Sequence, residues 1–139
     1  FNQLDDVADL AAAMPGLTIV VDHVGGPIGV GHYAAQREET MRTWRAAMAR
    51  LARYPNVHVK LGGLGMRLAG LALDKLPAPA GSEELAAAWK PESNYPVDKV
   101  AASYGVLWNA FKRLAGGASA DERRALFAGT ACKVYGIEV

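Results

Sequence analysis

The sequence predicts an α/β fold built on parallel β-strands, and three observations support this prediction. Two β-branched apolar runs, within residues 17–27 and residues 55–63, each end in polar groups followed by a glycine pair. Both runs are too short to form a helix. An amphipathic helical pattern precedes the first run and another lies between the two, which is the order of a βαβ unit. In such a unit the carboxyl end of each strand opens into a loop where a ligand can bind.

The first helix is expected over residues 4–14, where apolar positions follow the i, i+3, i+4, i+7 spacing and Pro15-Gly16 stops the pattern. The helix between the two strands is expected to end before Pro55. Its apolar face consists of Met41, Trp44, Met48 and Leu51. These faces are expected to cover the hydrophobic body of the strands.

Beyond Gly63 the pattern is less regular. Residues 64–81 contain prolines and glycines and are expected to form a long loop with one helical turn. Ser82 is expected to cap a short helix that runs to Trp89. The polar residues 93–98 are typical of a turn and lead into the next helix.

Two more helices are expected in the last third of the chain. The first of them ends at Gly116-Gly117, and its apolar face comprises Val100, Tyr104, Leu107, Trp108, Phe111 and Leu114. The last helix opens with a capping box, in which Ser119 and Glu122 have the S-x-x-E spacing. Trp44, Trp89 and Trp108 fit apolar helix faces, so they are expected in the core rather than in a binding platform.

Composition excludes several classes of function. The 139 residues, of which 51% are hydrophobic, can form one domain with a substantial core. A net charge of +1, without interleaved basic and aromatic residues, argues against a nucleic-acid surface. No apolar stretch is long enough to span a membrane and the first residues do not resemble a signal peptide, so we expect a soluble, cytoplasmic protein. The single cysteine, Cys132, cannot form an internal disulfide.

An ordered series of motifs runs through nearly the whole chain. It consists of Gln3-Leu4, Met14-Pro15, Asp22-His23-Val24-Gly25-Gly26-Pro27, Trp44, Pro55-Asn56-Val57, Val59-Lys60-Leu61-Gly62-Gly63, Ser93-Asn94-Tyr95-Pro96-Val97-Asp98, Ala131 and Tyr135. This series resembles the amidohydrolase-related family of TIM-barrel hydrolases, lactonases and decarboxylases, many of which depend on a metal. The resemblance implies a partial (β/α) TIM-barrel, roughly its carboxyl-terminal half, with few parallel strands and flanking helices. Residues 1–139 would then form a single domain of this kind.

The resemblance has two gaps. A full barrel takes about 250 residues, and the family's first strand, with paired histidines in an H-x-H arrangement, has no counterpart here. The three histidines, His23, His32 and His58, stand at other spacings. Where the family has a helix and its eighth strand, Pro91 runs directly into Glu92. An internal deletion is therefore expected at this junction.

The candidate catalytic residues are His23 and Asn94. The resemblance implies that His23 is the active-site histidine, acting in acid/base catalysis or in polarising the substrate carbonyl. Many family members have an aspartate at the position of Asn94, as metal ligand and general base, whereas an amide cannot accept a proton at neutral pH. Either Asn94 hydrogen-bonds the substrate in a subgroup without a firmly bound metal, or another residue is the base.

Lys60 and Asp22 are the candidate substrate-binding residues. Lys60 shares the polar face of the second strand with His58, and that face would point into a barrel. Lys60 can pair with a substrate carboxylate, although a buried salt bridge to a neighbouring strand is the favoured interpretation. Asp22 can orient an imidazole or make a structural hydrogen bond, since adjacent strand side chains point to opposite faces. His32 is expected to be solvated in a loop.

Two functions are compatible with these residues. The first is a hydrolase that cleaves a C–O or C–N bond in a small carboxylate-bearing substrate, with a lactone among the candidates. The second is a catalytically inactive, truncated relative with a structural or interaction role. The cofactor is left unknown: a divalent metal such as zinc is usual in the family, but the ligand set is incomplete here and no metal ligand is assigned. The expected partners are a small-molecule substrate and other copies of the chain, with no nucleic acid and no membrane. Self-association is expected because an unclosed barrel leaves its strand edges, and the apolar faces that Trp44, Trp108 and Phe111 would bury, without partners.

Overall fold

The computed structural model describes residues 1–63, 65–88 and 103–138. The strand–helix–strand order predicted from the sequence is confirmed. The first α-helices and the strands are, in chain order, α1 (Leu4–Ala13), β1 (Ile19–Val21), α2 (Arg37–Leu51) and β2 (Val57–Val59). The strands pair in parallel, with Ile19 opposite Val57 and Val21 opposite Val59. The described chain is therefore an α/β structure with a small parallel sheet.

The regular structure in the rest of the described chain is helical. It consists of α3 (Ser82–Ala88), α4 (Tyr104–Leu114), α5 (Ala120–Arg124) and α6 (Thr130–Tyr135), with a π-helical turn over Ala125–Gly129 joining the last two. The predicted capping box is present: the Glu122 backbone N–H donates to Ser119 Oγ at 3.2 Å, and the Ser119 N–H donates to Glu122 Oε2 at 2.7 Å. The backbone hydrogen bond from Ser119 lowers the pKa of Glu122.

Two local predictions need correction. The loop after β2 contains two short 3₁₀ turns, Arg67–Ala69 and Leu73–Lys75, where one helical turn was expected. Ser82 is the first residue of α3 and not its cap, because the Gly81 N–H binds Glu84 Oε2 at 2.7 Å while Ser82 Oγ accepts a hydrogen bond from Arg113 Nε at 3.1 Å. The expected helix end at Trp89, the junction at 91–92 and the turn at 93–98 lie outside the described residues.

The core joins α1, α2 and the sheet, and α3 and α4 extend it. Its most deeply buried members are Leu4, Ala8, Val24, Trp44, Leu51, Ala80, Leu85, Leu107 and Ala110. Arg50 of α2 links the two helices at the surface by binding Asp5 at 2.8 Å and also Asp9 of α1. The hydrogen bond to Asp5, followed by that to Asp9, raises the pKa of Arg50.

The loops that follow the two strands touch each other. The Gly29 N–H donates to the Leu68 carbonyl at 2.7 Å, and Arg37 Nη1 donates to the Ala69 carbonyl at 3.0 Å. A Cβ atom at Gly70 would lie only 2.2 Å from the Gly29 carbonyl oxygen, so the two backbones approach more closely than any other residue would allow. This contact holds both loops beyond the carboxyl ends of the strands.

The apolar surface does not lie where the sequence placed it. Trp44, expected to need a partner, is covered by the chain itself and is 5% exposed. Trp108 and Phe111 are half-buried in α4. The large apolar side chains that remain exposed lie elsewhere: Leu10, Met14, Leu17, Leu61, Leu68, Leu76, Tyr104, Leu126, Tyr135 and Ile137. Of the helices that the structure describes, not one has the length and apolar character needed to cross a bilayer.

Candidate functional site

Asp22, His23 and Lys60 lie together where the two strands end. Pairing continues past the strands, because the Lys60 N–H donates to the Val21 carbonyl at 2.9 Å and the Val24 N–H donates to the Lys60 carbonyl at 3.1 Å. Parallel strands bring their carboxyl ends to one edge of a sheet, so both chain segments deliver polar side chains to this edge. The other catalytic candidate, Asn94, lies outside the described residues.

His23 begins a left-handed turn, residues 23–26, which we call the histidine turn. The φ angles of His23, Val24, Gly25 and Gly26 are 53°, 47°, 77° and 60°. Glycine adopts such angles freely, but each of the two side-chain-bearing residues is disfavoured there by roughly 1–2 kcal/mol, and a β-branched valine is an outlier. The surrounding structure must therefore hold this turn in place.

Hydrogen bonds from outside and within the turn supply that restraint. Trp44 Nε1 donates to the Val24 carbonyl at 2.6 Å, in a buried contact from α2. The Val24 N–H is fixed by the Lys60 carbonyl at the end of β2. Within the turn, the Gly26 N–H donates to the His23 carbonyl at 2.7 Å. The half-buried imidazole is thus presented by a backbone anchored from two different elements.

Gly63 packs directly against His23. A Cβ atom at this position would lie 2.8 Å from His23 Cβ and 2.9 Å from Met66 Cε, and the φ of Gly63 is +105°. Both the space and the backbone angle therefore require glycine. The second glycine of the pair after β2 is what lets this loop close on the histidine.

Lys60 and Asp22 form an ion pair of 3.0 Å across the ends of the strands. The expected salt bridge to the neighbouring strand exists, but it is not buried: 51% of the Lys60 side chain and 61% of that of Asp22 are exposed. Both residues lie just beyond the ends of their strands, where the described chain does not cover them. Asp22 and His23 were expected to point to opposite faces as neighbours on a strand. This expectation was wrong, because β1 ends at Val21 and the backbone turns at His23.

Tyr135 of α6 completes the surroundings of Lys60 and was not predicted as a site residue. The Lys60 Nζ lies 5.9 Å from the centre of the Tyr135 ring. The hydrogen bond to Asp22, and then that to Tyr135, raises the pKa of Lys60. A raised lysine pKa stabilises the fold below the ordinary lysine value, and this contribution is lost as the pH rises through the raised value. Because the pair is exposed, salt screens it.

The other two histidines lie outside the histidine turn. His32 is exposed, as expected, and its ring nitrogen lies 3.2 Å from Gln36 Nε2. His58 is half-buried within β2. Neither lies in the histidine turn, which makes His32 a suitable control position.

Comparison with known proteins identifies the family. Residues 2–137 match the amidohydrolase family. The chain belongs to this family. The resemblance read from the ordered motifs is thereby confirmed.

Three relatives of known sequence are similar to nearly the whole of this chain. The chain is 36% identical over 138 residues to the uncharacterized protein y4mH of Sinorhizobium fredii, covering 96% of this chain and 43% of the relative. It is 33% identical over 151 residues to an L-fucono-1,5-lactonase of Burkholderia multivorans, covering 98% and 49%. A second L-fucono-1,5-lactonase, from Burkholderia ambifaria, is 33% identical over 144 residues, covering 92% and 44%.

Two solved amidohydrolase structures share this fold over half of their length. An amidohydrolase from Burkholderia multivorans with bound HEPES superposes with a TM-score of 0.67 at 30% identity, over 99% of this chain and 50% of that one. A crystal form of an amidohydrolase from the same species, with bound zinc, gives a TM-score of 0.66 at 31% identity. This amidohydrolase chain spans about half the length of the relatives and solved chains it matches.

The described part of this amidohydrolase does not fit a zinc centre. A catalytic zinc site takes three protein ligands and a water. Among the residues that the structure describes, no three histidine, cysteine, aspartate or glutamate side chains are grouped so that they could hold a metal ion. The Asp22 carboxylate is already paired with Lys60, and displacing it would leave that ammonium without its partner.

We therefore expect the chain alone not to hold zinc tightly. After dialysis, elemental analysis of the purified protein should find well under one zinc ion per chain, because a site with fewer than three protein ligands binds weakly. A stoichiometric, dialysis-resistant zinc ion would contradict this prediction. It would show that side chains within residues 89–102 bind the zinc ion together with His23 or another described histidine.

Proposed function

We propose that this chain forms part of the active site of a lactone hydrolase, with His23 as its acid/base group. The observation that carries the proposal is the histidine turn, in which a strained backbone presents His23 at the carboxyl edge of two parallel strands, against Gly63. Backbone strain of this kind clusters at active sites. The likeness to two L-fucono-1,5-lactonases supports a sugar lactone as the substrate class.

In this proposal the two strands are neighbours in the carboxyl-terminal half of a (β/α)₈ barrel. Barrel enzymes carry their catalytic groups at the carboxyl ends of the strands, which is where Asp22, His23 and Lys60 lie. The parallel pairing, the helix between the strands and the solved relatives support this placement.

The chemistry requires only that one group moves a proton. The imidazole of His23 takes a proton from a water molecule as that water adds to the lactone carbonyl carbon. The carbonyl oxygen gains negative charge. The ring C–O bond then breaks, and the imidazolium returns the proton to the ring oxygen, giving a hydroxy acid. Histidine suits both steps because its charge changes near neutral pH. Lys60, at the same edge, places an ammonium group near the carboxylate that forms, and Asn94 stays a candidate for hydrogen-bonding the substrate.

The test is hydrolysis of L-fucono-1,5-lactone and related sugar lactones by the purified chain. The rate is measured as acid release above the spontaneous rate. His23→Asn should lower kcat by about 100-fold or more, since general acid/base groups contribute about 10²–10⁴-fold. His32→Asn, which changes an exposed histidine outside the turn, should retain the rate of the unaltered chain.

Two results would contradict the proposal. Equal rates for His23→Asn and the unaltered chain would remove His23 from the chemistry. A folded chain that hydrolyses no lactone or ester above the spontaneous rate would instead favour the inactive relative with a structural role.

A further inference from the structure

We infer that Trp44 is the positioning residue for His23. It acts through one hydrogen bond, from its indole N–H to the Val24 carbonyl, and so fixes the backbone that carries the imidazole. The inference rests on the proposed role of His23 in catalysis. It gives Trp44 a specific task beyond filling the core.

The contact is short and fully enclosed. Trp44 Nε1 lies 2.6 Å from the Val24 carbonyl oxygen, Trp44 is 5% exposed and Val24 is 2% exposed. A buried carbonyl without a donor is costly, so this oxygen needs a partner wherever the turn places it. The indole N–H supplies that partner to a Val24 held at a left-handed φ of 47°.

The backbone N–H of Val24 is held by the chain at the end of β2. The Val24 N–H donates to the Lys60 carbonyl at 3.1 Å, so β2 fixes one end of the residue and α2 fixes the other. His23 precedes this anchored residue directly, and its Cβ faces Gly63. Loss of the Trp44 hydrogen bond would therefore let Val24 relax towards negative φ and move the His23 side chain away from Gly63.

The chain offers a matched control at Trp108. Its indole N–H is buried but makes no hydrogen bond within the part of the chain that the structure describes. Trp44→Phe and Trp108→Phe are thus the same chemical change, an indole exchanged for a phenyl ring. Only Trp44→Phe removes the bond to the histidine turn.

Two readouts separate positioning from packing. Trp44→Phe should lower kcat for lactone hydrolysis by about tenfold to 100-fold with KM within about twofold, because displacing a catalytic group by about 1 Å costs up to 10²-fold. It should also shift the imidazole ¹H–¹⁵N resonances of His23, leaving those of His32 unchanged. Trp108→Phe should leave both the rate and the His23 resonances as they are in the unaltered chain.

If Trp44→Phe fails to fold, β-(3-benzothienyl)alanine placed at position 44 keeps the size of the ring system and removes only the N–H, and the same shift is expected. Unchanged His23 resonances and unchanged kcat in either variant would overturn the inference, as would equal effects of Trp44→Phe and Trp108→Phe. A His23 shift in a chain that hydrolyses no lactone would support the positioning and refute only the proposed function.

Discussion

Gly63→Ala is expected to lower kcat for lactone hydrolysis by about 100-fold, because it displaces His23 without altering any candidate catalytic group. The new methyl group would lie 2.8 Å from His23 Cβ and 2.9 Å from Met66 Cε. Met66 can move its side-chain end, but His23 Cβ is tied to the anchored histidine turn. The φ of +105° adds backbone strain for alanine. Overpacking of this kind should also lower the free energy of unfolding by about 1–3 kcal/mol.

The matched control is Gly16→Ala, in the turn before β1, where no atom lies within 4 Å of the added Cβ. It should retain full activity and unfold at the same urea concentration as the unaltered chain. Activity and urea midpoint are measured on the same preparations. Full activity of Gly63→Ala would show that His23 tolerates displacement, and so that its position against Gly63 is not used in catalysis.

Much of the fold could be predicted because local sequence patterns determine its strands and helices. The strands around Val20 and His58 are short β-branched runs, and α2 between them carries its apolar positions at helical spacing. Parallel pairing follows from that order, since a helix connects the strands. The capping box at Ser119 was equally predictable, because both of its partners lie within one helical turn.

The histidine turn could not be predicted in this way. A histidine and a valine after a β-branched run favour continuing the strand, and nothing local demands positive φ at either. The left-handed geometry depends on the Trp44 and Lys60 hydrogen bonds, whose partners are 20 or more residues away along the chain. Asp22-His23-Val24-Gly25-Gly26 therefore indicated where to look for a candidate site but not the shape of the turn.

The same limit applies to Lys60. A buried salt bridge from Lys60 to a neighbouring strand was predicted, but its partner, Asp22, was not identified, and the exposure of the pair depends on what lies above the sheet edge. The approach of Tyr135 depends on where α6 packs, and a lone tyrosine near the end of a helix gives no signal for that. Asn94 and the junction at 91–92 lie outside the described residues, so their roles stay predictions.

We also expect the free energy of unfolding to depend on protein concentration, because part of the apolar surface of this chain calls for a partner. Within the described residues the parallel sheet has only two strands, and parallel sheets are normally covered on both faces. The last helical segment, α5 to α6, has no buried residue, while Leu126 and Tyr135 are 51% and 53% exposed. We propose a second copy of this chain as the partner for these surfaces, because apolar patches that stay exposed on a folded chain usually mark an interface.

If folding is coupled to such pairing, about a hundredfold dilution should lower the free energy of unfolding by about 2.8 kcal/mol, since each tenfold step is worth about 1.4 kcal/mol. Urea unfolding across that range, together with light scattering, measures both quantities. Leu126→Lys should abolish the concentration dependence by placing a charge on the exposed helix. Leu68→Lys, at a leucine of similar exposure in the loop after β2, should preserve it. A monodisperse monomer with a single transition at every concentration would mean that the exposed helix needs no partner.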